Sequence, residues 1–209
     1  MFEDRTDAGH QLAGALQWLL APGGVVLGVA RGGVVVAAPV ARALGASLDV
    51  VVPRKLGAPG NPELGIGAIA PGVRVLDDDL VRRLGVDPAY LDAEIARQEA
   101  EIERRTAAYR GARPAVPLTD RTVVIVDDGI ATGVTAMAAV AWARAAGARE
   151  VLFAAPVGAQ PSIRALEGVA DQVVVPSIPP NFAAVGQWYE RFDQTSDDEV
   201  RAALSEAPA

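Results

Sequence analysis

The densest chemistry in the sequence lies where Val123-Val124-Ile125-Val126 runs into Asp127-Asp128-Gly129-Ile130-Ala131-Thr132-Gly133-Val134-Thr135. Four consecutive apolar residues predict a buried strand, and a Thr-Gly-x-Thr turn entering an alanine-rich stretch predicts the start of a helix. Open α/β sheets place their ligands at strand ends of this kind. The amides of the turn and the helix dipole suit a phosphate, and the hydroxyls of Thr132 and Thr135 add donors. Adjacent carboxylates can each accept hydrogen bonds from vicinal hydroxyls. A ligand with a phosphate at one end and two neighbouring hydroxyls beyond it is a ribose 5-phosphate. The plainer reading of the same residues is an acidic turn that caps an ordinary helix.

Two other clusters bear on an anionic ligand. Ala30-Arg31-Gly32-Gly33 follows the apolar run Val25 to Val29, and two glycines let consecutive N–H groups approach a ligand as an anion nest. By itself Arg-Gly-Gly is equally a tight turn. Pro53-Arg54-Lys55-Leu56-Gly57-Ala58-Pro59-Gly60 places two cations at a strand end, where they serve either a ligand or the solvated surface, and Glu63 is a loop acid nearby.

The elements that must position these residues follow a βαβ rhythm. After an N-terminal helix over about residues 6–20, the apolar runs 25–29, 48–52, 123–126, 151–155 and 173–175 predict strands. They alternate with helices at 34–44, 135–146 and 161–169. The runs are continuously apolar, which predicts a parallel sheet covered on both faces, and Gly45 and Gly147 stand where helix C-caps belong. The fold class is α/β, doubly wound. Residues 54–117 interrupt the rhythm. Glycine and proline between Lys55 and Glu63 predict a mobile lid or a linker over about 54–67. Leu91, Ile95, Gln98, Ile102 and Tyr109 then predict an amphipathic helix over 88–110, read as a packing element or a homodimer contact rather than a catalytic one. The C-terminal 179–192 holds much of the aromatic content, while His10, Trp18 and Trp142 are read as structural residues on helices. The whole is one domain over residues 1–209.

Composition removes several function classes. The chain has 209 residues, 51% hydrophobic, and no cysteine, so thiolate chemistry, disulfides and thiolate metal sites are absent. With a net charge of −7 and no basic stretch interleaved with aromatics, nucleic acid is not an expected partner. No apolar run approaches the about 18 residues of a membrane span. Met1-Phe2-Glu3-Asp4-Arg5 shows no export signal, and a soluble, cytoplasmic protein is expected.

The segment from Val123 to Thr135 resembles the 5-phosphoribosyl-1-pyrophosphate (PRPP) motif of type I phosphoribosyltransferases. The resemblance implies a mainly parallel five-stranded sheet with a flexible loop and helical insertion (54–117) and a C-terminal hood (about 176–195). It assigns Asp127 and Asp128 to the ribose hydroxyls and Gly129, Ala131, Thr132, Gly133, Val134 and Thr135 to the 5-phosphate. Arg31, Gly32 and Gly33 are similar to the loop that takes pyrophosphate. Arg54-Lys55-Leu56-Gly57-Ala58-Pro59-Gly60 is similar to the flexible-loop start of the adenine enzymes, where the cations would neutralise the leaving group. Asp127, Asp128, Arg31 and Lys55 are the implied catalytic residues. Mg2+ is the implied cofactor, bound largely through PRPP with no direct protein ligand. Phe182, Trp188 or Tyr189 would offer the base a stacking face, with core packing the alternative for each ring. Transfer of the phosphoribosyl group to a nitrogenous base or amine follows, or else PRPP binding by a regulator without turnover. Position 131 is Ala where the 6-oxopurine enzymes carry an acid beside purine N7, which ranks adenine or a related amine ahead of guanine.

Overall fold

The structure is a computed structural model that describes residues 1–20 and 23–206. The chain begins α1 (Arg5–Leu16), β1 (Val25–Val29), α2 (Gly32–Leu44) and β2 (Ser47–Val51). A meander follows, β3 (Arg54–Ala58), β4 (Asn61–Ala70) and β5 (Val73–Leu76), then α3 (Asp78–Arg83) and α4 (Pro88–Arg110). The alternation resumes with β6 (Thr122–Val126), α5 (Val134–Ala145), β7 (Glu150–Ala154), α6 (Gln160–Glu167) and β8 (Gln172–Val174), and α7 (Asp197–Ser205) comes last.

Five strands pair in the order β2-β1-β6-β7-β8, all parallel. The continuous apolar runs have the cause expected of them. Val26, Val124 and Leu152 face one core, with α1, α2 and α4. Val25, Leu27, Ile125 and Phe153 face the other, with α5 and α6. Every residue of β1 and β6 is buried, and the one polar side chain among them, Thr122 at the start of β6, donates its hydroxyl to Glu150 Oε2 at 3.0 Å.

The region read as an irregular loop is instead regular. β3, β4 and β5 form an antiparallel sheet in which Arg54 pairs with Ile69 and Lys55 with Ala68. Leu56 and Ile66 are buried within it, and Ala68 and Ala70 pack against Ala138 of α5. The glycines that read as breakers serve close approach. A Cβ on Gly57 would sit 2.7 Å from Pro62 Cα across the hairpin, and the register shifts on both sides of Gly57. The tip, residues 59–64, is exposed.

The helix predicted over 88–110 forms with those bounds. Its buried residues are Glu94, Gln98, Ile102 and Tyr109, so two polar side chains share the inner face. The N-terminal helix is shorter than predicted. It stops at Leu16, and Trp18 lies beyond its end, 87% exposed, rather than in a structural role on a helix. Among the described residues no helix is long and apolar enough to cross a membrane.

Two glycines of α1 test this packing in opposite directions. A Cβ on Gly9 would meet both Pro39 Cγ and Val36 O of α2 at 2.4 Å, whereas one on Gly14 would meet nothing within 4 Å. Urea denaturation should show Gly9→Ala destabilised by about 1–3 kcal/mol through overpacking. Gly14→Ala should be stabilised by roughly 0.5–1 kcal/mol, because alanine loses less backbone entropy in a helix. Equal effects at the two positions would contradict the described α1–α2 contact.

Candidate functional site

The strand order reverses direction between β1 and β6, because β2 is added on one side of β1 and β7 and β8 on the far side of β6. A crevice at such a switch point is the ligand position of open α/β sheets. Gly28 of β1 pairs with Val126 of β6, which brings the loops after the two strands together. The contact is tight. A Cβ on Gly32 would lie 2.0 Å from Asp128 Oδ2, and one on Gly33 would lie 2.6 Å from the Val126 carbonyl and 2.8 Å from Asp127 Cα. Only glycine lets the Arg31-Gly32-Gly33 loop, joined to Ala30 by a cis peptide, lie against the two acids.

Asp127 and Asp128 emerge from β6 half-buried. The Asp127 amide donates to the Ala154 carbonyl at 3.1 Å, and the Asp128 amide donates to Asp127 Oδ1 at 2.8 Å. Burial, and then the neighbouring Asp128 charge, push the Asp127 carboxyl well above the ordinary range. Burial raises Asp128 too, while Arg5 pulls it back.

Arg5, the first residue of α1, is the partner that motif reasoning did not find. Its Nε donates to Asp128 Oδ2 at 2.8 Å and its Nη1 to the Asp193 carbonyl at 2.8 Å. The guanidinium carbon stands 3.9 Å over the Phe192 ring. The pair is well covered, with 12% and 17% of the two side chains exposed. No local signal marks Arg5, because its partner is 123 residues away.

The Thr132-Gly133-Val134-Thr135 turn is built from both sides. Gly133 adopts φ +76° immediately before α5, so the following amides point out of the helix start at Val134 and Thr135. Ser162 of α6 donates its hydroxyl to the Ala131 carbonyl at 2.6 Å, and Ile130 donates to the Val157 carbonyl at 2.9 Å. Gly129 lies under Val185, where a Cβ would meet Val185 Cγ1 at 2.5 Å. Ala131 and Thr132 are exposed and Thr135 is half-buried.

Other predicted residues point elsewhere. Arg31 Nη1 lies 3.6 Å from Asp197 Oδ1 at the start of α7. Arg54 donates its Nε to Gln98 Oε1 of α4 at 2.9 Å, and Lys55 donates to the Glu63 carbonyl across the hairpin. Both cations thus lie along the meander and α4, not against the acidic pair. Tyr189 does not offer a stacking face. Its ring is 5% exposed, packed 5.3 Å from Phe2 and 4.9 Å from Phe192 between centroids. Its hydroxyl donates to the Asp128 carbonyl at 2.6 Å. Burial, and then the Asp128 charge, raise that phenol. Phe182 and Trp188 pack on the same cluster but stay half-exposed, and the Trp188 indole Nε1 is buried without a protein acceptor among the described residues. The hood is therefore a small core that clamps the N-terminus onto the acidic loop.

Residues 13–191 match the family described as phosphoribosyl transferase domain. A Mycobacterium tuberculosis H37Rv protein named "Putative phosphoribosyl transferase Rv0571c" is 52% identical over 208 residues, 99% of this chain and 47% of that protein. The chain thus spans about half the length of the curated relatives it matches. The crystal structure of TT1426 from Thermus thermophilus aligns with a TM-score of 0.85 and 44% identity, over 100% of this chain and 99% of that one. A purine phosphoribosyltransferase from Pyrococcus horikoshii aligns at 0.52 and 20% identity over 94% and 97%, a likeness of fold.

The acidic pair carries a pH signature. A carboxyl whose pKa is raised by folding holds its proton more tightly when folded, so it weakens the fold as pH climbs above the unfolded range, about 3.9. Asp127→Asn should therefore be more stable than the parent at pH 7–8, by roughly 1–2 kcal/mol, with the gain vanishing near pH 4. Arg5→Gln leaves Asp128 buried without its cation and should lose about 1–3 kcal/mol at neutral pH, with a smaller loss as Asp128 protonates. Thermal melts across pH 4–8 check both. A pH-independent difference for either variant would contradict the described electrostatics.

Proposed function

The chain belongs to the phosphoribosyl transferase family, and on that premise we propose that it transfers the 5-phosphoribosyl group of PRPP to a nitrogen acceptor and releases pyrophosphate. The observation that carries this reading is the contact between the Gly32-Gly33 loop and the Asp127-Asp128 pair at the strand-order switch, with the Gly133 turn opening α5 beside them. In this reading the glycine loop would serve as a diphosphate nest, the acids as a diol acceptor and the turn as a phosphate cradle, in the order in which PRPP carries those groups.

In this reading Asp127 and Asp128 accept hydrogen bonds from the ribose hydroxyls, and the amides from Ala131 to Thr135 hold the 5-phosphate. The two glycine amides hold the diphosphate, and Arg31 joins them by turning from its contact with Asp197. The acceptor's lone pair forms the new C1–N bond while the C1–O bond breaks, its electron pair leaves with pyrophosphate, and the acceptor's N–H proton is released. Charge develops on the leaving oxygens and on the ribose ring, so fixed donors and carboxylates stabilise the transition state more than the substrate. Arg54 and Lys55 supply further cations on the hairpin side. The hairpin is anchored at its base by buried Leu56 and by Tyr90, whose hydroxyl donates to the Gly57 carbonyl at 2.9 Å. Its exposed tip, residues 59–64, is the part able to cover the crevice.

Magnesium fits this site as a substrate-borne ion. Among the described residues no three His, Asp or Glu side chains converge on one point, so a hard cation would draw most of its oxygen ligands from PRPP and water. When bound, it would shield the diphosphate charge. At the acceptor end the Ala131 methyl cannot exchange a proton with purine N7, which favours adenine or a related amine over 6-oxopurines.

Calorimetry should detect PRPP binding in the presence of Mg2+, and the Asp127→Asn, Asp128→Asn double variant should bind about 100-fold more weakly. Unchanged affinity would remove the assignment. Pyrophosphate release with adenine, hypoxanthine, guanine, xanthine, uracil and orotate should be fastest with adenine. Efficient use of guanine or hypoxanthine would overturn the argument from Ala131, and silence with every base would favour a binding role without transfer. Amide exchange over residues 59–64 should slow on addition of PRPP; identical exchange with and without ligand would rule out closure of the hairpin tip.

A further inference from the structure

β2 is an edge strand of the five-stranded sheet, with β1 on one side of it and no strand on the other. The Ala30 amide donates to the Val51 carbonyl at 2.9 Å, so Val51 turns its polar backbone groups toward β1. Val50 and Val52, the residues before and after it, turn theirs to the free edge. There the Val50 amide donates to Asp49 Oδ1 at 2.8 Å, and Arg110 and the Val116 amide hold that carboxylate at 3.0–3.1 Å. Among the described residues neither the Val50 carbonyl nor the Val52 amide has a hydrogen-bond partner, although Val50 is 1% and Val52 2% exposed. Buried backbone groups are almost always paired, with protein, water or a ligand.

The free edge opens into a cavity of about 650 Å3, inside the range of small-ligand sites, about 300–1,000 Å3. Ile102 and Ala107 of α4, Trp142 of α5 and the Pro71-Gly72 turn wall it. The cavity straddles the strand, since the Val50 and Val52 side chains join the core shared with α4 and the Val51 side chain joins the core shared with α5. It is separate from the acidic crevice. Trp142 stands seven residues beyond Thr135, about 10 Å down α5, and β1 lies between β2 and β6. Glu99 and Glu103 line the cavity from exposed positions on α4, and among the described residues neither has an ion-pair partner. Among the described lining residues the one cation is Arg110, which Asp49 matches at 3.0 Å.

We propose that this cavity is a binding site for an unphosphorylated aminopurine or aminopyrimidine, as the free base or its nucleoside, held against the edge of β2. A carbonyl and an amide two residues apart on one strand edge are bridged by a donor set beside an acceptor, and Val51 fills the equivalent gap on β1, opposite Val29. The amino group and adjacent ring nitrogen of adenine or cytosine carry that pair on a flat ring. The amino group donates to the Val50 carbonyl, the ring nitrogen accepts from the Val52 amide, and Ile102 and Trp142 supply apolar cover. A strand from another chain is a poorer fit, because it would also need the Val50 amide, which Asp49 already holds. Glu99 and Glu103 can accept from ribose hydroxyls and repel a phosphate, which selects against nucleotides and PRPP. The site does not rest on the transferase reading, which concerns the other crevice.

Proton–nitrogen NMR on valine-labelled chain reads the Val52 amide directly, its signal identified by its loss in Val52→Ile. Titration with adenosine should shift that signal, and the Trp142 indole N–H signal, to saturation. Purine riboside, which lacks only the amino group, should have a midpoint at least about tenfold higher, because the Val50 carbonyl is then left without a donor. AMP should bind at least about fivefold more weakly than adenosine, and the Glu99→Gln, Glu103→Gln double variant should narrow that gap. Ala107→Phe, at an exposed position on the wall, should abolish the adenosine shift with the melting temperature unchanged. A Val52 signal that ignores adenosine, equal midpoints for adenosine and either purine riboside or AMP, or a shift that survives Ala107→Phe would overturn the proposal. A lower midpoint for adenine than for adenosine would identify the free base as the occupant, and the reverse order the nucleoside. The Asp127→Asn, Asp128→Asn variant should leave the Val52 midpoint as it was, and a midpoint that rose with loss of the acidic pair would overturn a separate site. If PRPP bound nowhere on the protein, the transferase reading would fall while the adenosine titration still decided this site.

Discussion

Two carboxylates on consecutive residues at the end of a buried strand repel each other and lose their water, and much of the architecture compensates for that charge. Arg5 meets Asp128 from α1, and Phe192 backs the guanidinium from the far side. The amide of Asp128 turns back onto Asp127, and the Tyr189 hydroxyl takes the Asp128 carbonyl. These contacts tie the first helix, the sixth strand and the C-terminal hood into one unit. A protein selected for stability alone would place apolar or singly charged residues there. Retaining the pair is intelligible if its negative charge is used on a ligand rich in hydroxyls.

The glycines opposite the pair are the other half of the same constraint. A side chain at Gly32 or Gly33 would occupy the space of the carboxylates or of the β6 backbone. The approach of the two loops is possible because β1 and β6 are hydrogen-bonded neighbours, and it leaves the backbone amides of one loop beside the acids of the other. An anionic ligand spanning both would be held by amides and arginines at its phosphates and by carboxylates at its hydroxyls. Complementary charge along its length orients such a ligand in one direction.

The insertion follows a different electrostatic rule. At the acidic pair a cation is supplied to cancel excess charge, whereas at Arg54 an amide is supplied and the charge is left standing. The meander that carries Arg54 is held on one side by α5 and on the other by α4, so its base is rigid while its tip is exposed. A rigid base under an exposed tip is the arrangement that the proposed cover over the crevice would need.

Much of this is legible in the residues themselves. The five strands are marked by continuous apolar runs, since a strand buried on both faces cannot hide its pattern, and α4 is marked by its spacing. The acids, the Thr-Gly-x-Thr turn and the glycine pair are legible because they are written in consecutive residues. The meander escapes such a reading because Gly57, Gly60 and Gly65 break a local pattern whether they make a loop or let two strands approach, and only the partner strand distinguishes the cases. Tyr189 escapes it because a ring's type does not say which side of it meets solvent. Arg5 is invisible and Gln98 is legible only as a position on the inner face of α4, since each acquires its partner from a residue far along the chain. Local composition thus determined the five parallel strands, α4 and the residues able to carry chemistry. Which charges are cancelled and which are left exposed was decided by packing, because Coulomb and desolvation energies depend on distance and burial in three dimensions rather than on order in the chain.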